Sequence, residues 1–205
     1  MFDGLLTLPW PQQAALQHAY TTPPRQYHGI GHVAEVLRHY AQVDAGPGWA
    51  KPVEVWLAVL YHDAVYRAGR RDNEARSAAM ALEHIGRWLP DRGVDSARVA
   101  RLIELTARHG TFAPGDFGAD SAPGDVRHFL DCDMAILGAD AAAFDAYDAG
   151  IEEEYRGHVP GLLFRINRRR FLKNLLARER IFLSDWFHER YDAAARANLR
   201  RVLQE

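Results

Sequence analysis

Apolar residues recur three and four positions apart along almost the whole chain, and no convincing segment alternates with a period of two. That pattern reads as helix throughout. Pro11 opens a short helix over about 11–20, which Thr21-Thr22-Pro23-Pro24 breaks, because proline removes a donor and restricts the residue before it. A second helix is expected from Tyr27 to Val43, stopping at Gly46-Pro47-Gly48. The third starts near Lys51-Pro52 and carries VEVWLAVLYHDAVY, an almost wholly apolar run into which His62 and Asp63 are set. Asp72 or Asn73 can cap a helix that runs to Leu89, and Asp95 or Ser96 can cap another that ends at Gly110. Residues 110–124, rich in glycine and proline, form the longest irregular stretch. Further helices are expected over 124–138, 140–157, 161–177 and 184–203.

No repeat, low-complexity tract or polar linker divides this pattern. The expectation is one all-α domain over 1–205, a bundle of about eight helices. Its motif-bearing core spans about 27–137, with C-terminal helices over 140–203 packing on it. Composition supports a folded helical protein: 48% of residues are hydrophobic and 25% charged, alanine is plentiful and β-branched residues are sparse. A net charge of −2 gives no global field toward nucleic acid or an anionic membrane. The one cysteine, Cys132, cannot form an internal disulfide, which fits a reducing compartment. The opening MFDGLLTLPWPQQ lacks the pattern of a secretory signal, and no stretch approaches 18 uncharged apolar residues. A cytoplasmic protein is expected.

Ten histidines change the picture. Four strings hold the candidate chemistry: Tyr27-His28-Gly29-Ile30-Gly31-His32, His62-Asp63, Thr106-Ala107-Arg108-His109 and Asp131-Cys132-Asp133. A helix would place His28 and His32 one turn apart on one face. Adjacent helical positions would send His62 and Asp63 about 100° apart, still within reach of one ion between them. Burying an Asp and a His in a core-grade helix without partners costs several kcal/mol, and a cation is one partner that serves both. Imidazole nitrogen with carboxylate oxygen suits Mn, Fe, Co, Ni or Zn, and Mg less well.

The order His, His-Asp, Asp along an all-helical chain resembles the HD superfamily of metal-dependent phosphohydrolases. YHGIGHVAEV is similar to the YHxxxHxxxV segment of its cyclic-nucleotide phosphodiesterase branch. The full set of strings, from Tyr27 to Leu199, looks like a bacterial group of HD phosphohydrolases of about 200 residues. That group carries YHxxxHI, FHDxVY, NExxSA, TxxH, FLDxDLxILG and ARxNL. The resemblance implies an HD-domain bundle in which His32, His62, Asp63 and Asp133 hold a divalent metal ion, with Asp131 the alternative to Asp133. It implies that His28 donates a proton to the leaving group of a phosphate ester or phosphoanhydride, attacked by a water that the metal activates. The implied substrate is a small phosphorylated molecule, a nucleotide or a phosphomonoester, with no nucleic-acid polymer and no membrane as partner. A homo-oligomer is compatible with it. Two other classes stay open: an HD-type di-iron oxygenase drawing on His84, His109 and His128, and a non-catalytic nucleotide-binding regulatory module.

Around this set, Glu74 is a candidate second-sphere base or water-gripping residue, against a plain helix-dipole role. His109 is a candidate for substrate phosphate or a second metal, and Arg25 for substrate phosphate. His84 reads as an ordinary helical residue, and His18, His39, His128, His158 and His188 as structural. Arg168-Arg169-Arg170 reads as a mainly solvated face, and Trp186-Phe187 as core.

Overall fold

The structure, a computed structural model, describes residues 4–23, 25–117 and 123–204. Among them are nine α-helices and two short 3-10 turns, with no strand, so the expected all-α class holds. The chain forms two compact units, Met1–Ala107 and Arg108–Glu205.

In the first unit, α1 (Trp10–Thr21), α2 (Ile30–Asp44), α4 (Asn73–Trp88) and α5 (Ser96–Thr106) accompany α3 (Pro52–Tyr61). Helix α3 contacts α2, α4 and α5, and every residue from Glu54 to Tyr61 is buried. A helix that is apolar all round must be enclosed on all sides, which the run VEVWLAVLY announces. Its one buried carboxylate, Glu54, accepts from the amide of Asp95 at 3.3 Å. Asp95 is itself the N-cap of α5, its side chain accepting from the Arg98 amide at 2.9 Å.

Two expected helices are shorter where the chemistry lies. Helix α2 starts at Ile30, not Tyr27, because Gly29 is its extended N-cap (φ −101°, ψ −165°), so His28 precedes the helix. Helix α3 stops at Tyr61, so His62 is its C-cap and Asp63 lies in the following turn. His62 nonetheless keeps helical dihedrals (φ −54°, ψ −38°) and an amide bond to Ala58 O.

The second unit comprises α6 (Pro123–Met134), α7 (Ala141–Tyr155), α8 (Gly161–Leu176) and α9 (Asp185–Gln204). The expected single helix over 124–138 is instead α6 followed by a 3-10 turn over Ala135–Gly138. That turn packs on α9 so closely that a Cβ on Gly138 would stand 2.7 Å from the Tyr191 carbonyl oxygen. Helix α6 contacts the turn and α9, so it belongs with the C-terminal helices. The boundary at Ala107–Arg108 thus places the Asp131-Cys132-Asp133 string with the C-terminal helices. Phe129, Phe144, Phe182 and Phe187 fill the core, and Arg168 is largely buried against Asp148 at 2.7 Å rather than solvated. Residues 118–122 of the irregular stretch, and Pro24 of the break after α1, lie outside the described residues. Among the described residues no helix is long and apolar enough to cross a membrane.

His39, expected to be structural, is buried on α2 between Arg38, whose Nη2 is 2.9 Å from its Nε2, and Gln42, whose Oε1 is 3.2 Å from its Nδ1. Burial and then Arg38 lower its pKa to about 4, against the pull of the Gln42 hydrogen bond. The unfolded chain takes up this proton near pH 6.5 and the folded chain only near 4. The neutral ring thus contributes stability in full above pH 6.5, and the contribution is lost as pH falls toward 4. Urea unfolding at pH 7.5 and 4.5 should show wild type losing on the order of 2 kcal/mol more than His39→Gln over that range. Parallel losses in the two proteins would remove His39 as the cause.

Candidate metal centre

The last carbonyls of α3 are taken partly by the residues that follow it and, at Leu60, by a side chain from α1. A helix leaves four C=O groups without intrahelical partners, and buried ones need donors. Here the Ala58 oxygen accepts from the His62 amide at 2.9 Å, and the Val59 oxygen lies 2.9 Å from His62 Nδ1. The Tyr20 hydroxyl donates to the Leu60 oxygen at 3.0 Å, and the Ala64 amide donates to the Tyr61 oxygen at 3.0 Å. Arg25 takes the two beyond, Asp63 O at 2.6 Å and Ala64 O at 3.0 Å.

The contact to Val59 has a chemical consequence. A carbonyl only accepts, so Nδ1 of His62 carries the proton and Nε2 of the neutral ring presents its lone pair. That Nε2 is 3.1 Å from Nε2 of His32 and 3.2 Å from Oδ2 of Asp63, and the third edge, His32 Nε2 to Asp63 Oδ2, is 3.6 Å. His32 and His62 are almost wholly buried and the Asp63 side chain is 13% exposed.

A single proton can bridge two of these atoms but not three. A cation serves all three. The point equidistant from the three atoms lies about 1.9 Å from each, just short of the roughly 2.0–2.2 Å bonds of Zn to imidazole and carboxylate. A small displacement out of their plane reaches bonding length. His32, His62 and Asp63 can therefore hold a metal ion. Burial alone would raise the Asp63 carboxyl, but the imidazoles of His62, His28 and His32 outweigh it and hold it well below the ordinary carboxylate range. The negative end of the α3 dipole adds to the preference for positive charge here.

His28 is half-buried beside this cluster. Its ring centroid is 5.9 Å from that of His32, and it stacks on Tyr66 at 4.1 Å with a 23° tilt. Tyr66 is held from behind by α4. The Val65 amide donates to Ser77 Oγ at 3.0 Å, and that hydroxyl donates to Val65 O at 3.2 Å. Asn73 does the same for Arg67, accepting from its amide at 3.1 Å and donating to its carbonyl at 3.0 Å. Two side chains one turn apart on α4 thus stand in for a strand, pairing with alternate residues of the segment after the His-Asp turn. Asn73, Ser77 and Tyr66 were not among the expected site residues. The signal was available: two polar residues four apart on the buried face of an alanine-rich helix.

The other candidates are placed as follows. Arg25, the candidate for substrate phosphate, turns Nη1 and Nη2 to four backbone carbonyls. Glu74 is half-buried in the first turn of α4, the dipole position, and among the described residues no hydrogen bond or ion pair joins it to the cluster. His84 is buried and its Nδ1 is 3.1 Å from the Tyr61 hydroxyl, as an ordinary core histidine would be.

In the second unit, Asp133 Oδ2 lies 2.8 Å from Nδ1 of His109, whose side chain is about one-third exposed. Asp131 has both oxygens engaged within its own unit. Oδ1 accepts from the Leu183 amide at 2.7 Å, and Oδ2 from the Ser184 amide at 2.7 Å and hydroxyl at 2.6 Å. Burial pushes its carboxyl up to about 7 although all three donors pull the other way. Through these three bonds Asp131 holds the turn before α9.

No protein-family model, curated protein or solved structure matches this chain. The functional reading therefore rests on this geometry and on the motif order.

Proposed function

We propose that this protein is a divalent-metal-dependent hydrolase of phosphate esters or phosphoanhydrides, of the HD-superfamily kind. The observation that carries it is the convergence of His32 Nε2, His62 Nε2 and Asp63 Oδ2 around one point at metal-bonding distance, with the His62 tautomer set by Val59. A divalent cation bound there supplies a water of lowered pKa and a counter-charge for a phosphoryl oxygen. The residues of the chain do the rest. His32, His62 and Asp63 orient that chemistry, and the burial of the two imidazoles keeps bulk water from the ligand atoms. His28, held by Tyr66 at the edge of the cluster, donates a proton to the leaving oxygen.

The substrate is a small phosphorylated molecule, a nucleotide or a phosphomonoester, and the ion is one of Mn, Fe, Co, Ni, Zn or Mg. The commitment of His84 to Tyr61 speaks for the hydrolase over the di-iron oxygenase. The motif order adds Asp133 as a fourth ligand.

Elemental analysis of purified protein, with phosphate release from nucleoside triphosphates and phosphomonoesters across these metals, tests the reading. Wild type should carry a divalent metal and release phosphate, whereas Asp63→Ala should lose more than about 100-fold in metal affinity and fall to background turnover. Equal rates in the two proteins would end the hydrolase assignment, and Asp133→Ala in the same titration decides the fourth ligand.

A further inference from the structure

Arg25 offers an inference of a different kind from the phosphate contact that its place before the first motif suggested. Its Nη1 donates to His28 O at 2.9 Å and Asp63 O at 2.6 Å, and its Nη2 to Ala19 O at 2.6 Å and Ala64 O at 3.0 Å. One planar cation thus gathers the last turn of α1, the loop that carries His28, and the turn that carries His62 and Asp63. The guanidinium also lies over two rings, 5.3 Å from the centroid of Tyr20 and 5.7 Å from that of Tyr66. Those rings are the ones that cap Leu60 O and stack on His28.

Arginine is the side chain that can do this. Its donors lie in a rigid fork, whereas a lysine ammonium is a compact point charge with three donors on a flexible stem. The spacing matters because the cluster draws on the same segments. His32 is four residues beyond His28, and the Asp63 carboxylate leaves the residue whose carbonyl Arg25 holds. A ligand set displaced by about 0.5 Å no longer matches a common ion. His62 and Asp63 are held from inside α3 by Val59 and Leu60, but among the described contacts it is Arg25 that joins their turn to the carbonyl of His28.

We infer that Arg25 is a positioning residue of the candidate metal centre, setting the separation between the His28–His32 segment and the His62–Asp63 turn. It acts through the backbone carbonyls it holds. The inference rests on the proposed function for its metal-affinity consequence alone.

The test compares wild type, Arg25→Lys and Arg25→Gln with Arg196→Gln. Arg196 is a matched control in the second unit, bonded to Asp192 and to the carbonyls of Leu176, Arg178 and Glu179. Two readouts are taken on the full chain: Co(II) affinity by absorbance titration, and imidazole nitrogen resonances of the metal-free protein. Both Arg25 variants should weaken Co(II) binding by about 10–100-fold and shift the His28, His32 and His62 signals. Arg196→Gln should lower thermal stability but leave affinity within about twofold and those signals unmoved. Arg25→Lys keeps the charge, so a full loss in it assigns the effect to the fork.

If folded Arg25→Lys binds Co(II) like wild type with unchanged histidine signals, the inference is wrong. It is equally wrong if Arg196→Gln disturbs both readouts as much. If wild type itself binds no Co(II), the hydrolase reading fails, and the histidine resonances alone decide the role of Arg25. Should Arg25→Gln not fold, Arg25→Lys carries the same comparison.

Discussion

Replacing His28 by alanine is expected to cut turnover on an unactivated phosphate ester by roughly 10²–10⁴-fold while leaving divalent-metal affinity within a few-fold of wild type. The two effects separate because His28 lies outside the three-atom cluster. Its ring stacks on Tyr66 and lies 5.9 Å, centroid to centroid, from that of His32, close enough to serve the same substrate without sharing the ion. Its backbone is anchored independently through Arg25, so truncating the ring leaves the loop in place. A substrate whose leaving group departs readily as an anion needs no proton, and on it the loss should shrink toward unity. Steady-state kinetics on an alkyl phosphate and on a nitrophenyl phosphate, paired with metal titration, measure this. Full turnover of His28→Ala on the alkyl substrate would take the acid role away, and equal losses on both substrates would make the residue a binder.

Asp131→Ala should be among the most destabilising single changes in the second unit, on the order of 3–5 kcal/mol, since it leaves three donors at Leu183 and Ser184 without their acceptor in a buried setting. For a chain of this size that corresponds to roughly 10 °C in Tm. Asp133→Ala removes a carboxylate whose partner, His109, is partly exposed, and should cost far less in stability. Thermal unfolding of the metal-free proteins separates the two aspartates without reference to activity. A small loss in Asp131→Ala, or a larger one in Asp133→Ala, would reverse their roles as assigned above.

What the sequence made legible, and what it hid, follows from the range of the interactions. The run VEVWLAVLY announced an enclosed helix, because all-round apolarity has one physical solution. The helix starts at Pro52 and Ser96 were readable from proline and an Asp cap, both local devices. The end of α3 at Tyr61 was not: the Leu60 carbonyl is taken by Tyr20, and the turn that follows is held by Arg25, about 40 residues earlier. Arg25 is alike: its charge is local information, and its four carbonyl acceptors are not. Three of the four expected ligands, His32, His62 and Asp63, lie together, with His62 and Asp63 just past the end of α3 rather than within it. Asp131 and Asp133, two residues apart, look alike in sequence and are distinguished only by what 183–184 brings to the first.

The carbonyls of Leu60, Tyr61, Asp63 and Ala64 around the His-Asp turn are taken by donors of the chain itself, and this bears on how such a centre would fill and empty. Small zinc modules gain their shape from the ion and collapse when a chelator removes it. A turn held this way would need little ordering to capture an ion at His32, His62 and Asp63, and the expectation is that the chain stays folded when the ion leaves. Occupancy would then follow whichever cation the surroundings supply, and one ion would exchange for another with no unfolding in between.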